Sequence, residues 1–127
     1  TASELRKTHM RKTGSLIHAA MQMGAWAAEA RPADRYELEN YAFNIGLAFQ
    51  IVDDVLDATS TTEELGKPVG SDSGNGKTTY ITLYGAEEAM KRASDLTRGA
   101  CRDMQNYFGD KADFLVELAN SLLMRRK

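Results

Sequence analysis

Apolar residues recur every three to four positions over long stretches of this chain, and proline, glycine or short polar runs separate the stretches. Residues 6–29 are rich in Ala, Met, Leu and Ile, with Leu16, Ala20, Met23 and Ala27 at helical spacing. Pro32 suits the first turn of a second helix, where its missing N–H costs nothing, and that helix is predicted over 33–58. Residues 59–77 read as a loop, with four glycines, one proline and many Ser, Thr and Asp. A short helix or turn follows over 78–85. Its Thr-Thr-Tyr-Ile-Thr-Leu-Tyr run could pass for a strand, but a lone strand would have no partner. Residues 86–108 predict a charged amphipathic helix that Gly109 stops. A last helix over 113–126 carries Leu115, Leu118, Leu122 and Leu123 on its apolar stripe. With no internal repeat and no credible sheet, the expected class is all-α.

The 127 residues suffice for one domain with one core. Hydrophobic residues make up 43% and charged residues 27%, an ordinary globular balance. The formal net charge of −2 argues against a dedicated nucleic-acid binder, which normally carries a basic excess. No run of about 18 apolar residues occurs, so no membrane span is expected. No charged-then-apolar leader is visible, and the single cysteine, Cys101, excludes an internal disulfide or a Cys-based zinc site. A soluble, cytoplasmic protein is the expectation, and a chain that starts at Thr1 suggests processing or a piece of something longer. Charge is uneven. Residues 1–12 carry four basic residues against one acidic, 29–76 carry ten acidic against three basic, and Arg125-Arg126-Lys127 closes the chain.

The second helix holds the main anomaly. Setting Gln50 at zero and turning about 100° per residue, Asp53 falls near −60°, Asp57 near −20° and Asp54 near +40°. Gln50 and three carboxylates thus share one arc, while Ile45, Phe49, Ile51, Val52, Val55 and Leu56 fill most of the rest. A helix apolar nearly all round is normally buried. Like charges at these spacings repel, and burying them unpaired costs several kcal/mol each, on the order of 3–5. A lysine, an arginine or a divalent metal must face them; the bland alternative is a solvated acidic stripe. The downstream loop, Gly-Lys-Pro-Val-Gly-Ser-Asp-Ser-Gly-Asn-Gly-Lys, favours the first group. Lys67 and Lys77 can serve as point-charge phosphate ligands, and glycines let backbone N–H groups approach oxygens. Mg²⁺ prefers one or two carboxylates plus substrate phosphates. The pattern therefore reads as a Mg²⁺–diphosphate site.

These residues resemble a known family. Phe49-Gln50-x-x-Asp53-Asp54-x-x-Asp57, then Leu65-Gly66-Lys67, Gly70-x-Asp72 and Gly76-Lys77-x-Thr79-Tyr80, is similar to the second aspartate-rich region of trans-isoprenyl diphosphate synthases. Upstream, Lys12-Thr13-Gly14 with Leu16, and then Gly24-Ala25, resembles the family's Lys-Thr motif. Lys-Thr-Gly rather than Lys-Thr-Ala looks most like the bacterial farnesyl diphosphate synthases. The resemblance covers most of residues 8–85 and makes 1–127 the C-terminal helical portion of a single synthase domain of the isoprenoid-synthase bundle type. It implies a Mg²⁺-dependent prenyltransferase joining an allylic diphosphate to isopentenyl diphosphate, giving a short-chain prenyl diphosphate, and a homodimer for the full-length protein. By position, it implies Asp53 as principal Mg²⁺ ligand, with Asp54 and Asp57 holding coordinated water or orienting it. Lys12 and Lys67 would bind the allylic diphosphate, and Thr13 and Gln50 would turn oxygen dipoles towards the carbocation. Lys77 would pair with acidic groups or phosphate, and the basic tail would close over the second diphosphate.

The family's first aspartate-rich motif has no counterpart here, nor do its N-terminal isopentenyl diphosphate ligands. These 127 residues are therefore expected not to elongate chains alone, and their apolar faces to favour self-association. The alternative is a non-catalytic diphosphate-binding or regulatory subunit that completes its site with another chain; a plain helical interaction domain is a third. Smaller signals point elsewhere. Gly70-x₅-Gly76-Lys77 misses P-loop spacing. His9 and His18 have no evident partner and suit a surface or interface, whereas Trp26, Met21 and Met23 suit core or helix contacts. Tyr80 and Tyr84 suit packing, and Cys101 needs no function.

Overall fold

In a computed structural model the described residues are 1–4, 13–59 and 80–125, and every regular element among them is helical. Four helices follow in order: α1 (Ser15–Ala27), α2 (Pro32–Thr59), α3 (Tyr80–Phe108) and α4 (Asp113–Met124), with a 3₁₀ turn (Gly109–Ala112) between the last two. The all-α expectation stands. No described helix is long and apolar enough to cross a membrane. The predicted loop over 60–77 lies outside the described residues.

The turn between α1 and α2 is a Schellman motif. The Ala30 N–H donates to Ala25 O at 2.9 Å and the Glu29 N–H to Trp26 O at 3.1 Å. This geometry requires a left-handed residue, and Glu29 takes it with φ 56° although it has a side chain. Pro32 then opens α2 where a backbone N–H is dispensable. Asp34 in the first turn complements the helix dipole. The Arg31 guanidinium grips its carboxylate with two hydrogen bonds of 3.1 Å, and the Tyr107 hydroxyl donates to it at 2.8 Å. Tyr107 sits at the far end of α3, so the N-terminal end of α2 is tied to the C-terminal end of α3 and the two helices run antiparallel.

α2 is the central element, packing along α3 and touching α1 and α4. Its partner face on α3 is lined with small residues. Ala89, Ala93 and Ala100 are buried at 0%, 0% and 2% exposure, with Thr97 among them. The Thr97 hydroxyl donates to Ala93 O at 2.8 Å, which satisfies it inside the seam. One apolar cluster joins Leu47, Ile51, Val52 and Val55 to Ala89 and Ala93. The other gathers Tyr41, Ile45, Ala100, Cys101, Met104, Ala112 and Ala119. Tyr41 is buried among them, and its hydroxyl donates to Leu115 O at 2.7 Å, pinning the start of α4. Burial pushes the Tyr41 phenol upward, and likewise the Cys101 thiol. Cys101 is thus a core residue.

Two glycines take positive φ where helices stop. Gly109 (φ 62°) ends α3, as predicted, and Gly85 (φ 82°, ψ 162°) breaks it one turn after its start. The boundary predicted between 78–85 and 86–108 therefore falls at a real kink. Three expectations need correction. α4 ends at Met124 rather than at 126, because Arg125 turns extended (φ −63°, ψ 154°). The α1 stripe of Leu16, Ala20, Met23 and Ala27 faces solvent; α1 packs instead through Ala25 and Met21 on its other side. Met23 is 72% exposed and not core, and Trp26, at 64%, makes a helix contact by lying under the Arg35 guanidinium at 4.1 Å.

Two consequences are measurable. The hydrogen bonds from Arg31, and then from Tyr107, hold the Asp34 carboxyl down to about 2. A depressed acid contributes stability that is full above its unfolded value of about 3.9 and lost as pH falls through the folded value. The stability advantage of the parent over Asp34→Asn should therefore be constant above about pH 5 and shrink towards about pH 2; an advantage that ignores pH contradicts this. Glu29→Gly should stabilise the protein by about 1 kcal/mol, because it removes the left-handed penalty and an acid near a helix C-terminus. Urea midpoints of the two proteins test it.

Candidate active site

The chemistry-bearing residues lie on the C-terminal half of α2. Around that stretch Leu47, Ala48, Ile51, Val52 and Val55 are buried, as a helix apolar nearly all round requires. The acidic face is buried too. Gln50 is 4% exposed, Asp54 7% and Asp57 4%, which excludes a simple solvated stripe. Asp54 and Asp57 are both engaged in interactions. Asp53 differs, with a side chain 49% exposed.

The cation facing Asp53 comes from the opposite end of the chain. After α3, α4 doubles back towards the acidic half of α2 and delivers Arg125 to it. The Arg125 Nη2 donates to Phe49 O at 3.2 Å and lies 3.6 Å from Asp53 Oδ1. Its guanidinium carbon sits 4.0 Å above the Phe49 ring centroid. Packing onto that ring and α2 leaves the arginine only 17% exposed. Sequence reading took Arg125 from charge alone, as part of a tail over a diphosphate; here it rests on the acidic helix itself. Phe49 was read only as part of a motif, yet it is the platform on which the arginine lies.

Thr13 and Gly14 of the Lys-Thr-Gly motif reach the same face. Thr13 and Gly14 form a π-helical turn that enters α1, with Gly14 buried and Thr13 half-buried. An ideal Cβ on Gly46 would stand 2.9 Å from Gly14 Cα, so the two backbones nearly touch. Gly46 lies one turn before Gln50 and, at about −40°, on the stripe shared by Gln50, Asp53 and Asp57. Two motifs some 35 residues apart are therefore brought to one helix face. Sequence reading missed Gly46, although a glycine inside a helix costs about 1 kcal/mol and calls for a reason. Lys12, Lys67 and Lys77 lie outside the described residues.

His18 corrects another expectation. Rather than lacking a partner, its Nε2 is 3.1 Å from Glu39 Oε1 and its ring stacks on Phe43 at 4.7 Å. It fastens α1 to α2 just below the Gly14–Gly46 contact. Tyr84 packs, as expected, under the Arg92 guanidinium at 3.9 Å.

Among the described residues, no three His, Cys, Asp or Glu side chains converge closely enough to hold a metal. The three aspartates share an arc without sharing a point. A hard cation on this face would take one or two of the carboxylates and complete its shell from other oxygens. Mg²⁺ does this where a substrate brings phosphate, so the donor set suits it without an all-protein cage.

Known proteins share both the sequence and the fold. A family model described as polyprenyl synthetase matches residues 1–114. A geranylgeranyl diphosphate synthase of Cyanophora paradoxa is 43% identical over 98% of this chain and 41% of its own length. Farnesyl diphosphate synthase of Escherichia coli is 40% identical over 97% of this chain and 42% of its own. A crystal structure of a candidate farnesyl-diphosphate synthase from Marinomonas sp. MED121 superposes with a TM-score of 0.75 at 32% identity, covering 97% of this chain and 40% of that one. The chain thus spans about two fifths of the length of the relatives it matches. A family model covering most of the chain and a helical fold shared with a solved relative agree with the motifs brought together on α2: the chain belongs to the polyprenyl synthetase family.

Proposed function

We propose that this chain carries the diphosphate-handling face of a prenyltransferase that condenses an allylic diphosphate with isopentenyl diphosphate to a short-chain prenyl diphosphate. On this reading residues 1–127 are the C-terminal helical portion of one synthase domain, homodimeric and cytoplasmic in its full-length form. The observation that carries it is the acidic, largely buried face of α2, with the Thr13-Gly14 turn packed at its head. The names of the relatives, geranylgeranyl and farnesyl diphosphate synthases, support the reaction class.

Asp53, half-exposed, would offer its carboxylate to a Mg²⁺ ion, with Asp54 and Asp57, both buried, holding coordinated water or orienting it. Bound there, the ion supplies positive charge against the departing diphosphate. Lys12 and Lys67 bind the allylic diphosphate, and Lys77 joins acidic groups or phosphate in the closed site. Thr13 and Gln50 aim oxygen dipoles at the carbon that loses its diphosphate; the buried setting of Gln50 keeps its dipole unscreened. That carbon then alkylates the isopentenyl double bond, and a proton leaves. Arg125 and its basic neighbours close over the second diphosphate.

Alone, the 127 residues are expected to bind Mg²⁺ and diphosphate without turnover, because the first aspartate-rich motif and the isopentenyl diphosphate ligands have no counterpart in the sequence. Turnover by the pure chain contradicts this. Titration calorimetry with inorganic diphosphate, with and without Mg²⁺, tests the site. Binding should require Mg²⁺, and Asp53→Ala should weaken it at least about tenfold, as losing a charged ligand does. Lys67→Ala should weaken binding of an allylic diphosphate by a similar factor. Unchanged affinity in Asp53→Ala overturns the metal assignment, and in Lys67→Ala the loop assignment.

A further inference from the structure

We propose that Gly46 is a positioning residue for the diphosphate site: its missing side chain sets how closely the Thr13-Gly14 turn approaches the acidic face of α2. The inference rests on the proposed diphosphate reading and adds a residue to it that touches no ligand.

Three features of the structure carry it. First, the approach is backbone to backbone. A Cβ on Gly46 would meet Gly14 Cα at 2.9 Å, with Gly14 C and O at 3.8 and 3.7 Å. No flexible side chain can swing away, so the turn itself must move by several tenths of an ångström. Second, the contact lies on the functional face, because Gly46, Gln50, Asp53 and Asp57 follow one another along a single stripe of α2. Third, the other helical glycines behave differently. A Cβ on Gly24 or on Gly99 meets nothing within 4 Å. Only at Gly46, among the glycines so described, does close packing demand glycine. The next fastening between the two helices, His18 with Glu39 and Phe43, holds α1 below the contact. A push at Gly46 therefore tilts the head of α1, which bears Thr13, away from Gln50. Sites tolerate misplacements of about 0.5 Å, and about 1 Å can cost a hundredfold.

The test is calorimetric titration of the full chain with inorganic diphosphate in the presence of Mg²⁺, well below the melting temperature. Gly24→Ala should bind like the parent. Gly46→Ala should bind about tenfold more weakly with the parent's stoichiometry, since the folded protein itself is altered. Gly46→Ala/Gly99→Ala provides the stability control, because alanine at the roomy position 99 favours the helix. It should recover melting temperature but not affinity. Lys12→Ala should cost less in the Gly46→Ala background than in the parent, since Lys12 directly precedes the displaced Thr13-Gly14 turn in sequence.

Parent-like affinity in Gly46→Ala overturns the proposal. So do affinity that returns together with melting temperature, stoichiometry that falls at constant affinity, and a helical signal lost from both Gly46 variants, each of which marks a purely structural contact. Additive losses with Lys12→Ala overturn it too. A parent chain that fails to bind refutes the diphosphate reading itself, before any glycine is changed, and the inference falls with it.

Discussion

The structure turns on a helix that must be buried and yet carries acid. α2 packs along α3 and touches α1 and α4, which buries Asp54 and Asp57 and leaves only Asp53 of the three half-exposed. Desolvating carboxylates is costly enough that each must be engaged by something. That requirement organises the rest. α4 runs back along the bundle far enough to set Arg125 on Phe49 and near Asp53, and the head of α1 closes on the same face through two glycines. The site is thus a consequence of how an acidic helix is made tolerable inside a helical bundle.

The packing that permits this is asymmetric. Along most of α3 the seam is made of small residues, three alanines, Cys101 and a self-satisfied threonine, with Met104 buried towards its C-terminal end. Most of the bulk comes from α2 and α4, through Tyr41, Ile51, Leu115 and Leu122, and α3 adds Met104. The ends are fixed by polar ties: Arg31 and Tyr107 on Asp34, and Tyr41 on Leu115 O. A rigid frame matters here, because Gln50 and the aspartates all project from one helix. Their mutual geometry is preserved as long as α2 stays straight, whereas the opposing turn and tail arrive from separate elements.

Most of this frame was legible in the sequence, since helix periods and breakers are local signals. Pro32, Gly85 and Gly109 mark boundaries that the structure reproduces. The three-aspartate arc followed from helical geometry alone, and its burial from the apolar residues around it. Orientation was not legible on α1. Its stripe of Leu16, Ala20, Met23 and Ala27 has the right period but faces solvent, because period says that a face exists and not which neighbour covers it. Long-range contacts were equally hidden. His18 with Glu39, and Arg125 with Phe49, depend on how helices cross, and no spacing within one helix encodes that.

The three carboxylates divide by the ease with which they can change partners. Asp54 and Asp57 are buried and engaged, so exchanging what they touch would require reorganising the interior. Asp53 is half-exposed and its arginine stands at 3.6 Å, a separation typical of pairs worth about 0–1 kcal/mol. Arg125 also lies on the Phe49 ring and donates to the Phe49 carbonyl. It can keep its place on α2 while Asp53 turns towards another cation. On the proposed reading this is the arrangement a metal-dependent site needs: one carboxylate free to trade partners at small cost, two already engaged in the interior, and an arginine already seated beside the place where negative charge arrives.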